Sequence, residues 1–250
     1  MYLSIVGLFI LSSLSAISAT QSTAPQTVSH SHRLSEATAT STNWSGYAVT
    51  GPKNSVTSVD GYWTVPTAQS CTSTDTYSSF WVGIDGFNSN SVEQLGTDTD
   101  CSSGAPTYYA WREMYPHPAY YINTVTIHPG DEIYASVSFT GRNHFTLYMK
   151  DVSTGQSFSY SARARASRSS AEWVVEAPYS GGILPLTNFG TAYFTTNSAT
   201  ISGTTNYIDG FSSSSTYQIN MVDSNGNLKD TTSGLSGNGD FSVTWISQGP

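Results

Sequence analysis

Residues 171–176 read AEWVVE, two glutamates bracketing a tryptophan and a pair of valines. Only 10% of the chain is charged, so carboxylates set among bulky apolar residues raise the question of chemistry. Asp85 in FWVGIDG and Glu113 in YAWREMYP lie in similar company, and Gln94 adds a carboxamide in VEQLG. Several chemistries can be set aside. Asp98-Thr99-Asp100 lacks the glycine of the Asp-Thr-Gly loop that pepsin-type peptidases need. The Gly-x-Ser-x-Gly elbow of serine hydrolases is absent, and Gly234-Leu235-Ser236-Gly237 reads as a turn. His117, His128 and His144 have no metal-ligand spacing, so neither a metal nor another cofactor is expected. Two reaction classes use carboxylates with a nearby amide. One is glycoside hydrolysis by a carboxylate pair; the other is acid-pH peptide hydrolysis by a carboxylate and a neutral oxyanion donor.

The elements that must carry these groups are strands. From Thr42 onward, short runs rich in Val, Ile, Tyr, Phe and Thr alternate with Gly, Asn, Ser and Pro clusters, the pattern of an all-β sandwich or barrel. TGRN (140–143), VSTGQS (152–157) and DSNGN (223–227) carry hairpin-turn chemistry. Without a linker or a repeat, one domain over 41–250 is expected. Side chains on a strand alternate between faces, which sorts the candidates. Trp81, Gly83 and Asp85 fall on one face, as do Tyr109, Trp111, Glu113 and Tyr115, and likewise Val92, Gln94 and Gly96. Glu172, Val174 and Glu176 share another, with the two acids roughly 13 Å apart at about 3.3 Å per residue. That is too far for both to act on one water. A face mixing large aromatics with carboxylates suits a concave substrate-binding sheet; the plainer alternative is a tyrosine-rich outer face with solvated acids.

The ends and the composition bound the setting. Residues 1–19 run apolar and finish in Ile17-Ser18-Ala19, as a signal peptide would, which implies secretion. Residues 20–40 lack apolar periodicity and read as a leader or short pro-segment outside the fold. In an exported protein, the two cysteines, Cys71 and Cys101, are most simply one disulfide. The net charge of -8 argues against nucleic acid or an anionic membrane as partner. Few cation–carboxylate pairs exist to be lost in acid, so acid tolerance is compatible with the composition.

The motifs, taken in order, resemble one family. STNWSGYAV (41–49), GYWTVP (61–66), FWVGIDG (80–86), the glutamine of VEQLGTD (92–98), YAWREMYP (109–116), AEWVVE (171–176) and NFGTAYF (188–194) are similar to segments of the glutamic peptidases, or eqolisins. The resemblance implies an all-β, concanavalin-like sandwich of two antiparallel sheets with a concave active-site face. It further implies a secreted acid endopeptidase acting on polypeptides, and the protein is expected to be a monomer. Carried over position by position, the catalytic pair falls on Gln94 and Glu176, with Glu176 activating water and Gln94 donating to the oxyanion. Trp44, Trp81, Asp85, Asp98, Trp111, Glu113 and Tyr115 are placed in or behind the cleft, and Glu172 is left to structure or the cleft rim. Glu93 stands where the family has an apolar residue, and alternation points it away from Gln94. Residues 66–80 hold no Lys or Arg, which implies a single uncut chain. The competing reading is a β-sandwich glycosidase using Glu113 and Glu176, or a lectin stacking sugars on Trp81 and Trp111; neither gives Gln94 a place.

Overall fold

The computed structural model describes residues 38–249. The expected signal peptide and the leader up to residue 37 lie outside the described residues. Sixteen strands follow one another: β1 (Thr38–Ser41), β2 (Trp44–Thr50), β3 (Val56–Thr64), β4 (Ser79–Ile84), β5 (Val92–Ser102), β6 (Ala105–Tyr115), β7 (Tyr120–Tyr121), β8 (Glu132–Gly141), β9 (His144–Asp151), β10 (Ser157–Arg163), β11 (Ser170–Glu176), β12 (Thr191–Ile201), β13 (Thr204–Tyr207), β14 (Thr216–Met221), β15 (Asp230–Thr232) and β16 (Phe241–Trp245). Two single-turn 3-10 helices, Ile208–Gly210 and Gly237–Gly239, are the helical elements among the described residues.

The strands form two sheets. The first has the order β1-β14-β2-β11-β4-β5-β6-β7 and the second β10-β9-β8-β3-β12-β16-β15, with β13 paired to β12. Every pairing is antiparallel except β1 with β14, which is parallel. Thr38, Ala39 and Thr40, assigned from sequence to the leader, therefore belong to the sheet. Their short polar and small side chains carry no hydrophobic period, so the strand is set by its partner.

Period-two alternation gives the first sheet two unlike faces. Tyr47, Phe80, Val82, Leu95, Trp173 and Val175 point inward and pack with Trp63, Ile133, Leu147 and Phe194 of the second sheet. The opposite face carries a separate apolar group built on Trp44, Trp81, Trp111 and Val174, rimmed by Tyr109, Tyr115, Tyr121 and Tyr217. Every residue of β11 is buried, because β2 and β4 flank it and both its faces are covered. AEWVVE is therefore not a solvated strand. Cys71 and Cys101 are bonded, as expected, with their Cα atoms 5.3 Å apart, closing a stretch that contains β4 and Gln94.

Candidate active site

The candidate residues meet on the outer face of the first sheet. Gln94 stands opposite Gly83 on one side and Glu113 on the other. Gly83 in turn faces Glu172, while Glu176 faces Ser79, which faces Asp98. Register alone thus lines Gln94 up with Glu172 and Glu176 with Asp98. The side chains add a link from Glu176 toward the Gln94 side of β4.

Trp81 is responsible. Its indole lies down over Gly83, where an added Cβ would meet Trp81 Cζ3 at 2.9 Å and Gln94 Cβ at 3.1 Å. Only glycine leaves room for the ring beside the glutamine. At its other edge, the indole N–H donates to Glu176 Oε2 at 2.9 Å. One rigid ring therefore spans from the Gln94 side of β4 to the Glu176 carboxyl. Trp44 braces it edge-on, with centroids 4.9 Å apart and planes at 78°. Asn43 Nδ2 donates to Glu176 Oε1 at 3.3 Å, so both carboxyl oxygens are held. Glu172 leans the other way, accepting from the Phe87 backbone N–H at 3.4 Å.

Burial controls the charges. Desolvation pushes Glu176 up to about 8, the Glu113 charge adds to the rise, and the Trp81 bond opposes it. An unperturbed value near 4.3, the expectation for an ordinary glutamate, does not hold here. Glu172 is raised well above its usual range, again by burial first. Asp98 is raised to about 6 by burial, against donors that include Tyr109 and Trp111. Trp111 Nε1 donates to Asp98 Oδ1 at 2.5 Å, and the Tyr109 hydroxyl lies 2.7 Å from Asp98 and 3.1 Å from Asp100. Both carboxyls thus lean on one phenolic donor, and burial, with the Asp98 charge added, raises Asp100 well above the usual aspartate range.

Gln94 Nε2 donates to Glu113 Oε2 at 2.6 Å. Gln94 Oε1 is buried without a donor, a state that costs roughly 1–3 kcal/mol unless a ligand fills it. Tyr115 sits half-buried at the edge of the same face. Asp85 departs from the alternation. It follows the end of β4 with a φ of 73°, which turns it out of register with Trp81 and Gly83. Its carboxylate accepts from the backbone N–H groups of Arg168 at 2.7 Å and Ser169 at 2.9 Å, tying down the loop before β11. Asp85 is thus a buttress behind the face. Glu93 points inward as expected, and there it is fully buried with neither carboxyl oxygen partnered. Sequence reasoning missed Asn43, Tyr109 and Asp100. Tyr109 had been sorted to the correct face, but its role needs the Asp98–Asp100 register across β5 and β6.

A two-sheet β protein with this buried carboxyl and carboxamide face belongs, by fold, with the glutamic peptidases. The crystal structure of scytalido-glutamic peptidase with a transition state analog inhibitor superposes with a TM-score of 0.70 at 27% identity, over 82% of this chain and 98% of that one. Aspergilloglutamic peptidase from Aspergillus niger gives 0.59 at 29% identity, over 68% and 99%. Among curated proteins, Aspergillopepsin-2 of Aspergillus niger is 32% identical over 66% of each chain. Scytalidopepsin B of Scytalidium lignicola is 32% identical over 54% of this chain and 51% of its own length. These alignments span about two thirds and about half of the curated relatives. The chain belongs to the Peptidase A4 family, whose model matches residues 42–245.

Proposed function

We propose that this protein is an acid endopeptidase in which Glu176 is the general base and Gln94 the oxyanion donor. The observation that carries the reading is the Trp81 indole, bonded to Glu176 at one edge and packed beside Gln94 at the other. The ring links the strand position beside Gln94 to the Glu176 carboxyl, which supports their acting as a pair. In the reaction, the Glu176 carboxylate takes a proton from water as the water oxygen attacks the peptide carbonyl. The carbonyl oxygen becomes an oxyanion and accepts from the Gln94 N–H. Glu176 then returns the proton to the amide nitrogen, the C–N bond breaks, and an amine and a carboxylic acid leave. Burial raises the proton affinity of Glu176 in the free enzyme, so turnover in acid requires that the donors Trp81 and Asn43, together with bound substrate, hold it as the carboxylate.

Glu172 is assigned to structure, because its hydrogen bond turns it toward the loop at Phe87. The family match favours peptide over glycan hydrolysis. We further read the protein as secreted, with residues 1–19 removed, and as a monomer acting on polypeptides without nucleic acid, membrane or cofactor. The test is a comparison of isosteric variants on a denatured protein substrate. Glu176→Gln abolishes turnover, Gln94→Ala lowers kcat about 10²- to 10³-fold, and Glu172→Gln leaves most activity. Near wild-type turnover by Glu176→Gln, or a loss that follows Glu172 instead, refutes the assignment.

A further inference from the structure

The loops at one end of the first sheet carry a charge opposite to that of the whole molecule. The chain has nine Lys and Arg against seventeen Asp and Glu. Five of those nine, Lys53, Arg142, Arg163, Arg165 and Arg168, lie on three segments without an acid, 51–56, 140–144 and 162–169. Backbone bonds hold the segments together: Asn54 N–H donates to Ser167 O, Val56 N–H to Arg168 O, and Ala164 N–H to Asn143 O. The alanines at 162, 164 and 166 pack against the core, which turns Arg163 and Arg165 outward. Arg168 lies over the Phe139 ring, and Arg163 donates to His144. Lys53 and Arg165 are exposed and have no ion-pair partner among the described residues. These two line one cavity of about 500 Å³, together with Ser89, Asn90, Ser91 and Pro116. None of its described walls is acidic. Asp85, which meets the same loop, is buried and bonded to the N–H groups of Arg168 and Ser169. The cavity adjoins the Gln94 face. Ser91 leads into Val92 and Pro116 follows Tyr115; Val92 and Tyr115 pair across β5 and β6 and join the outer apolar group around Trp81 and Trp111. Ser91 stands three residues before Gln94, roughly 10 Å along the strand, a distance an extended peptide covers in about three residues.

We propose that this cavity is a subsite for an anionic side chain of the polypeptide substrate, held by Lys53 and Arg165 about three residues from the scissile bond. This rests on the reading of the protein as an endopeptidase and adds a substrate preference to it. The ammonium and the guanidinium donate to a carboxylate, and the serine hydroxyls and the Asn90 amide supply neutral donors for its remaining lone pairs. Lys and Arg keep their charge throughout the acid range, whereas exposed carboxyls elsewhere on the molecule take up protons there. The attraction therefore persists in acid while the competing negative field of the protein weakens. A basic side chain at the same place meets two like charges, so the subsite discriminates by sign.

The test is a set of peptides that differ at one position, scanned along both sides of the scissile bond, with Glu, Gln or Lys there. Assays run at about pH 5, where an ordinary glutamate is mostly ionised. At one position, KM for the Glu peptide is expected to be about three- to tenfold below that for the Gln peptide, with kcat the same and the Lys peptide poorest. The advantage shrinks in about 0.5 M salt. It disappears in the double variant Lys53→Gln, Arg165→Gln, which cuts the Gln peptide as the wild type does. Binding of the same peptides to Glu176→Gln, read by fluorescence anisotropy, needs no turnover and is expected to follow the same order. Equal KM and equal binding for the Glu and Gln peptides at every position overturn the proposal, as does an advantage that survives in the double variant. If no peptide is cut, the endopeptidase reading fails, and the binding order alone then decides whether the cavity takes anions.

Discussion

Glu93 offers a test of how this fold handles acid that does not involve catalysis. Its side chain is inside the sandwich, with Ile84 and Met114 as cross-strand neighbours and no hydrogen-bond partner for either oxygen. Burial first, and then the Asp85 charge, push its pKa from 4.5 to about 9. In the unfolded chain it ionises near 4.5; in the folded protein it stays protonated until far higher pH. The sign follows directly. The unfolded state binds fewer protons between those values, so stability is full below about 4.5 and falls as pH rises toward 9. Each pH unit removes about 1.4 kcal/mol, or about 3 kcal/mol between pH 4.5 and 7. Glu93→Leu, similar in size and apolar, has no proton to lose. Urea unfolding of both proteins, each carrying Glu176→Gln to prevent self-digestion, gives the comparison. The advantage of the leucine variant is expected to widen by about 3 kcal/mol from pH 4.5 to 7. A difference that stays constant over that range would mean that Glu93 ionises in the folded state as it does in the unfolded one.

Other consequences are open to measurement. Trp81→Phe removes a donor to the Glu176 anion worth roughly 1.5–3 kcal/mol, so the acidic limb of kcat/KM should move up by about one to two pH units. An unchanged limb would separate Trp81 from the base. Gly83→Ala places a methyl 2.9 Å from the indole, and overpacking of this kind costs roughly 1–3 kcal/mol; kcat should fall while the two sheets still form, as circular dichroism can show. In wild type, the acidic limb of kcat/KM should lie above the ordinary glutamate value, since burial raises Glu176; a midpoint at or below about 4.3 contradicts this. Cys101→Ser opens a bridge across 30 residues, with an expected loss of roughly 3–4 kcal/mol in urea unfolding.

Strand faces were legible in the sequence because alternation is a property of the local backbone. Glu172, Val174 and Glu176 share a face, as do Tyr109, Trp111, Glu113 and Tyr115, and Glu93 points away from Gln94. Asp85 escaped that rule because a positive φ ends the alternation, and a single aspartate carries no sign of it. β1 escaped because TATS has no hydrophobic period and is held by a partner 180 residues away. The disulfide was legible because two cysteines in a chain read as exported leave one simple pairing. What the sequence by itself determined, then, was a β-sandwich with acids and aromatics sharing one face, together with the motif order of a family. The tertiary structure alone decided which acid serves which partner. Trp81 reaches Glu176 across 95 residues of chain, Asn43 reaches it across 133, and Gln94 rests on Glu113 through the pairing of β5 with β6. Those contacts depend on strand order and on how side chains lean once neighbours fill the space. Desolvation, which sets the proton affinities of Glu93 and Glu176, depends on everything packed around them, and no local stretch of sequence carries that information.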